Sequence, residues 1–211
     1  METLKYLLLP FLCSAVLTPL VQVIAVKLEV YAEMNERTVH TRKIARIGGV
    51  SIYVAFLLCM AYFMKTDITI NGILIGGSIM FFGGLVDDMV NLPPKVKLLI
   101  EALAAIVLML FGQVSLDVIR LPFGITINMG FISALVTFVW IIGITNAVNL
   151  IDGLDGLSGG ICTIILVVIA CLSAIEGRMD IQLMSLVLAG ATLGFLLFNW
   201  HPASIFMGDC G

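Results

Sequence analysis

The side chains best suited to chemistry fall in four short stretches: NERTVHTRKIARIGG, GGLVDDMVNLPPK, NAVNLIDGLDGLSGG and FNWHPASIFMGDCG. In the second, Asp87 and Asp88 are adjacent. Two ionised carboxylates side by side repel, so the pair needs solvent or a compensating cation, and hard oxygen donors suit a divalent ion such as Mg²⁺, with Mn²⁺ a substitute. The plain alternative is a solvated aspartate pair ending a helix, with Pro93 opening the next segment. In the third stretch, Asn146, Asn149, Asp152 and Asp155 recur every three residues, so a helix would set them on one face, while Gly153 and Gly156 would let a ligand approach the backbone. Asn149 offers a donor and an acceptor to a sugar or a base. A simple glycine-rich turn would not call for two asparagines and two aspartates at this spacing. Asp209 lies in the closing Gly208-Asp209-Cys210-Gly211, where it could complete a metal site with Asp87 or Asp88, and His201 reads as an interfacial hydrogen-bonding residue. The first stretch supplies cations. Attraction to anionic lipid accounts for Arg42 and Lys43, whereas Arg46, just before Ile47-Gly48-Gly49, is placed to meet a phosphate.

The elements that must hold these residues are apolar. Of 211 residues, 61% are hydrophobic and 12% charged, with a mean hydropathy of +1.15. A soluble domain carries about 25% charged residues, so a water-soluble globule is excluded, as are disorder, collagen and a disulfide-rich module. A net charge of −3 gives no support for nucleic-acid binding. The five cysteines are an odd number without partner spacing and read as small core residues. A helix needs about 20 apolar residues to cross a bilayer, and runs of that order lie at 3–28, 48–64, 70–86, 96–112, 130–148, 158–175 and 182–199. The first, broken by Pro10 and Pro19 and lacking a basic leader and cleavage site, reads as a retained helix. Residues 113–129 alternate apolar and polar around Pro122 and Gly124 and predict a small extramembrane hairpin. The fold class is all-α: a polytopic transmembrane helical bundle forming one domain over 1–211.

Seven spans place loops alternately on two sides. One side holds 29–47, 87–97, 146–157 and 200 onward, with Arg37, Arg42, Lys43, Arg46, Lys95 and Lys97; the other holds only Lys65, Arg120 and Arg178. The excess of positive charge puts the first set in the cytoplasm. All four chemical stretches then fall on that side, which argues for a site at the inner membrane surface. Transport would instead call for polar groups at mid-helix, and Glu101 is the only membrane-embedded charge that hints at it.

Taken together, RTVHTRKIARIGGV, DDMVNLPPKVKLL, NAVNLIDGLDGLSGG and FMGDCG closely resemble the polyprenyl-phosphate N-acetylhexosamine-1-phosphate transferases, over essentially the whole chain. The H-x-R-K-x-x-R-I-G-G stretch resembles the branch that begins teichoic-acid, O-antigen and related glycans with GlcNAc-1-phosphate. The resemblance implies a Mg²⁺-dependent bacterial inner-membrane enzyme with its site facing the cytoplasm, joining UDP-GlcNAc to undecaprenyl phosphate with release of UMP. It implies catalytic roles for Asp87, Asp88, Asp152 and Asp155 and metal ligation by Asp87, Asp88 and Asp209. Substrate contacts are implied for Arg46, Lys97, Asn146 and Asn149, with membrane lipid as surroundings and a homodimer as a family trait.

Family chains usually run on past G-D-x-G into further helices and a histidine-rich cytoplasmic loop, so about seven spans stand here of a bundle of about ten to eleven. The sequence therefore reads as incomplete at its carboxy end, and these 211 residues alone are expected to release little UMP. The alternative donor is the MurNAc-pentapeptide nucleotide of peptidoglycan synthesis. An inactive fragment and a membrane transporter are the alternatives from other classes. The GxxxG spacings Gly72/Gly76 and Gly190/Gly194 predict close helix approach within the bundle.

Overall fold

A computed structural model of the chain describes residues 2–31, 44–64 and 68–211, so Arg37, His40, Arg42, Lys43 and Lys65 lie outside the described residues. The helices are α1 (Glu2–Lys27), α2 (Gly49–Phe63), α3 (Ile68–Val90), α4 (Pro94–Leu110), α5 (Ser133–Ile151), α6 (Leu157–Ile175) and α7 (Met179–Asn199). All seven stand where hydropathy placed them. Five, α1, α3, α5, α6 and α7, are long and apolar enough to cross a membrane, while α2 and α4 have 15 and 17 residues. The chain is a polytopic, all-helical membrane protein. Two ends differ from expectation. Helix α3 continues past 86 to Val90, so Asp87 and Asp88 sit inside its last turns, and α5 continues past 148 to Ile151. Backbone hydrogen bonding in an apolar setting favours prolonging a helix until a residue can leave it cheaply. For α3 that residue is Asn91, whose φ of 50° is left-handed and whose N–H donates to the Asp87 carbonyl at 2.8 Å.

The described contacts divide the single domain read from sequence into two compact units: residues 1–65, 84–91 and 151–211, and residues 66–83 and 92–150. In the first, α7 is central. Half of its apolar span is buried, and it packs on α1 above all, then on α6 and α2. A Cβ at Gly190 or Gly194 would collide with the backbone of α1 at Leu7 or Phe11, so these glycines allow backbone-to-backbone packing. Phe195, Met60, Val187 and Ile205 form the fully buried apolar core, and Thr18 of α1 meets Ser51 of α2 oxygen to oxygen at 2.9 Å. The opposite stripe of α1, Leu4, Leu8, Leu12, Val16 and Leu20, recurs every four residues and is exposed, as a lipid-facing surface should be.

In the second unit, Gly72 of α3 backs onto the chain at Phe111 and Gly112, and Gly76 faces Leu108 of α4. Both GxxxG pairs thus serve packing within the chain. Glu101, buried in α4, accepts a hydrogen bond from Asn146 Nδ2 of α5 at 2.5 Å, so the one embedded acid is satisfied by a neighbour. The predicted hairpin is present: β1 (Val118–Arg120) pairs antiparallel with β2 (Thr126–Asn128). Gly194→Leu should lower the stability of the detergent-solubilised protein by about 2 kcal/mol through overpacking. Gly143→Leu, at a position where an added Cβ meets nothing, should leave the melting temperature unchanged or slightly raised.

Candidate functional site

The acidic residues are positioned by a backbone tie between distant segments. Residues 45–49 run beside 206–207: Phe206 N–H donates to the Ala45 carbonyl at 2.8 Å, Gly48 N–H to Phe206 at 2.9 Å, and Gly49 N–H to Met207 at 2.8 Å. This sets Arg46 next to the loop that carries Asp209. Gly208 then turns the chain with φ 79°, and any Cβ there would strike the Arg46 carbonyl and the Asp88 carboxylate. On α3, a Cβ at Gly84 would strike the Asp209 carbonyl. The absence of side chains at these two positions lets the 208–211 loop lie directly on the last turns of α3.

Asp88 anchors that loop. Its Oδ1 accepts from the Asp209 N–H at 2.9 Å and its Oδ2 from the Cys210 N–H at 3.0 Å, while Arg46 Nε approaches Oδ1 at 2.9 Å. The carboxylate is fully buried, which is tolerable because it accepts several donors, one of them cationic. The remaining guanidinium nitrogens reach outward. Arg46 Nη1 donates to Asn91 Oδ1 at 3.2 Å, and Nη2 stands 3.4 Å from Asp209 Oδ2 and 3.9 Å from Asp87 Oδ2. One cation is shared among three carboxylates.

Asp152, the first residue after α5, adds a fourth. Burial, then the negative charges of Asp209 and Asp88, push its carboxyl up to about 6, against the opposing pull of Arg46. At Asp152 the negative charges of Asp209 and Asp88 thus count for more than the pull of Arg46. Burial and the Asp88 carboxylate likewise push the Cys210 thiol far up, so it stays protonated. All five cysteines are free.

Asp155 does not share a face with the other members of its motif. The helix ends at Ile151, Gly156 turns with φ 70°, and Asp155 Oδ2 instead takes His201 Nδ1 at 2.9 Å and the Ala203 N–H at 3.1 Å. His201 is the hydrogen-bonding residue that was expected. Buried Asn199 completes this support: its Oδ1 accepts from Gly156 N–H at 3.1 Å and its Nδ2 donates to the Ile205 carbonyl at 2.9 Å. Its function was missed from sequence, although an amide ending a 21-residue apolar helix and buried at 3% exposure is the sort of group that must be tying something. Lys97, Asn146 and Asn149 belong to the second unit. Asn146 Nδ2 is committed to Glu101 and to the Ile142 carbonyl, Asn149 is exposed and Lys97 half-buried.

Among the described residues, no three His, Cys, Asp or Glu side chains are disposed to hold a metal ion in common. Asp87, Asp88 and Asp209 are gathered around a guanidinium instead. Carboxylate oxygens are nonetheless the donors a hard divalent cation prefers, and the negative charges of Asp209 and Asp88 are felt at Asp152.

Residues 70–211 match glycosyl transferase family 4. A probable undecaprenyl-phosphate N-acetylglucosaminyl 1-phosphate transferase of Bacillus subtilis (strain 168) is 37% identical over 198 residues, 93% of this chain and 55% of the relative. A phospho-N-acetylmuramoyl-pentapeptide-transferase of Streptococcus pneumoniae serotype 19F (strain G54) is 32% identical over 177 residues, 78% of this chain and 54% of the relative. The chain thus spans about half the length of the curated relatives it matches.

The raised Asp152 has a measurable consequence. The folded protein holds that proton up to about pH 6 and the unfolded chain only to the ordinary value of 3.8, so this group costs stability above pH 6 and the cost fades as pH falls. Asp152→Asn, melted in detergent with a chelator, should gain about 1 to 2 kcal/mol near pH 7.5, allowing for solvent screening, and nothing near pH 4. A gain that grew on acidification would contradict the assignment.

Proposed function

The chain belongs to glycosyl transferase family 4, and from that premise we propose that it transfers a sugar-1-phosphate from a nucleotide sugar to a polyprenyl phosphate. The favoured pair is UDP-GlcNAc and undecaprenyl phosphate, giving undecaprenyl-diphosphate-GlcNAc and UMP at the cytoplasmic face of a bacterial inner membrane. The observation that carries this reading is the cluster of Asp87, Asp88, Asp209 and Asp152 around Arg46 at the ends of apolar helices. A membrane-embedded acceptor and a water-soluble donor can meet only at such a boundary.

Both reacting partners are anions, so much of the barrier is their mutual repulsion. Mg²⁺, or Mn²⁺ in its place, would be drawn by the carboxylates of Asp209, Asp152 and Asp87, which among the described residues are not disposed around one common point and so would have to close on it; when bound it would neutralise charge on the donor diphosphate and help hold the acceptor in line. Asp88 is assigned a positioning role, since its oxygens hold the Asp209 and Cys210 N–H groups. Arg46 keeps the carboxylates together and presents a guanidinium edge, 20% exposed, to an incoming phosphate. The acceptor's second pKa is near 6, so it is mostly a dianion at neutral pH and needs little help in losing a proton. Asp155 orders the 201–203 turn through His201 and Ala203. Lys97 and Asn149 are carried by resemblance to phosphate and sugar contacts, and a homodimer rests on resemblance alone.

The relative named as a phospho-N-acetylmuramoyl-pentapeptide-transferase, 32% identical, keeps the MurNAc-pentapeptide nucleotide as a second reading. The two readings separate by UMP release from membranes carrying the protein as its gene encodes it, not the 211 residues alone, given undecaprenyl phosphate, Mg²⁺ and either UDP-sugar; turnover of UDP-GlcNAc only is expected. Asp209→Asn should cut that release at least about 100-fold with the melting temperature unchanged. Asp88→Asn should lower activity and melting temperature together, because it frees the loop. Full activity in Asp209→Asn would defeat the proposal.

A further inference from the structure

Hairpin residues 113–132, between α4 and α5, are more than a connector. Cross-strand partners share a face, and the register pairs Ile119 with Ile127 and, one step on through the Leu121 N–H to Ile125 carbonyl bond of 2.8 Å, Leu121 with Ile125. That face is apolar over these pairs, and Asp117, opposite Met129 through the Met129 N–H to Asp117 carbonyl bond of 2.9 Å, closes it at the root. The other carries Arg120 opposite Thr126 and Val118 opposite Asn128. Such alternation ordinarily marks a sheet with its apolar face covered, yet Leu121, Ile125 and Ile127 are 43%, 55% and 42% exposed. At the tip, Phe123 is 101% exposed in a left-handed conformation (φ 67°), and Phe131, just before α5, is 99% exposed.

The hairpin is also held at a set position. Ser115 Oγ and Ser133 Oγ donate to Asp117 at 2.6 and 2.7 Å, keeping its carboxyl below the usual range, and the Leu116 N–H donates to Thr137 Oγ1 of α5 at 2.9 Å. Its root is therefore bolted to the first turns of a membrane-crossing helix. The apolar surface continues on both sides: Leu110 and Phe111 leave α4 exposed, and Leu135 and Val139 do so on α5. A surface continuous with lipid-facing helices, apolar on one side and carrying an arginine and polar groups on the other, has the character of an interfacial element.

We propose that the 118–128 hairpin lies in the bilayer interface, with the Ile119, Leu121, Ile125 and Ile127 face and the Phe123 tip in the lipid and Arg120 turned to headgroup phosphate and water. Tryptophan scanning of the protein reconstituted in phosphatidylglycerol and phosphatidylcholine vesicles tests it, reading each variant's emission against that of the parent with Trp140 and Trp200. The added tryptophan of Leu121→Trp and Phe123→Trp should be quenched by lipids brominated on their acyl chains at least about threefold more than that of Thr126→Trp, with aqueous iodide showing the reverse order. These positions are exposed, so folding should survive, and Ile127→Trp gives an independent reading of the same face. Equal iodide quenching at 121, 123 and 126 would mean that the hairpin stands in water. Protection of 121 and 127 from both quenchers would mean that protein covers the face. Either result overturns the proposal.

Discussion

The arrangement depends on one cation holding like charges together. Arg46 contacts Asp88 through Nε and both Asp209 and Asp87 through Nη2, so one guanidinium offsets the mutual repulsion of three acids in a partly buried setting. A lysine could not substitute, because its single point charge cannot reach three separated acids along a planar fork. Burial, and then the charges of Asp209 and Asp88, lift the carboxyl of Asp152 against the pull of Arg46.

Packing supplies the precision. The 208–211 loop reaches Asp88 only because Gly84 and Gly208 leave room, and the 45–49 segment stays in register with 206–207 through backbone hydrogen bonds that an apolar environment makes costly to break. Asp155 and Asn199 then fix the turn that follows α7. The residues with carboxyl or amide groups therefore divide into those that make the charged centre and those that hold the chain around it, a division that residue type does not reveal.

Much of this was legible beforehand. Apolar runs bounded by polar punctuation located all seven helices and the hairpin, since the lipid leaves the backbone no alternative to internal hydrogen bonding. The alternation of loops predicted that residues near 46, 88, 152 and 209 share one side, and their mutual contacts and fields require it. Period-three spacing was a poorer guide. A helix would have set Asp155 on one face with Asn149, but α5 ends at Ile151 and the Asp155 carboxylate turns to His201. The aspartate pair also divides: Asp88 is spent on loop N–H groups.

The sequence by itself determined the membrane fold, the number of helices and which residue types gather at one boundary, because hydropathy and charge are additive along the chain and act over whole segments. Only the tertiary structure decided that Arg46 is shared by three acids, that Asp88 anchors Asp209, and that Asn199 ties Gly156 to Ile205. Those are pairings between residues up to 163 positions apart, as Arg46 is from Asp209, and a hydrogen bond of about 3 Å depends on direction and distance that no local pattern encodes.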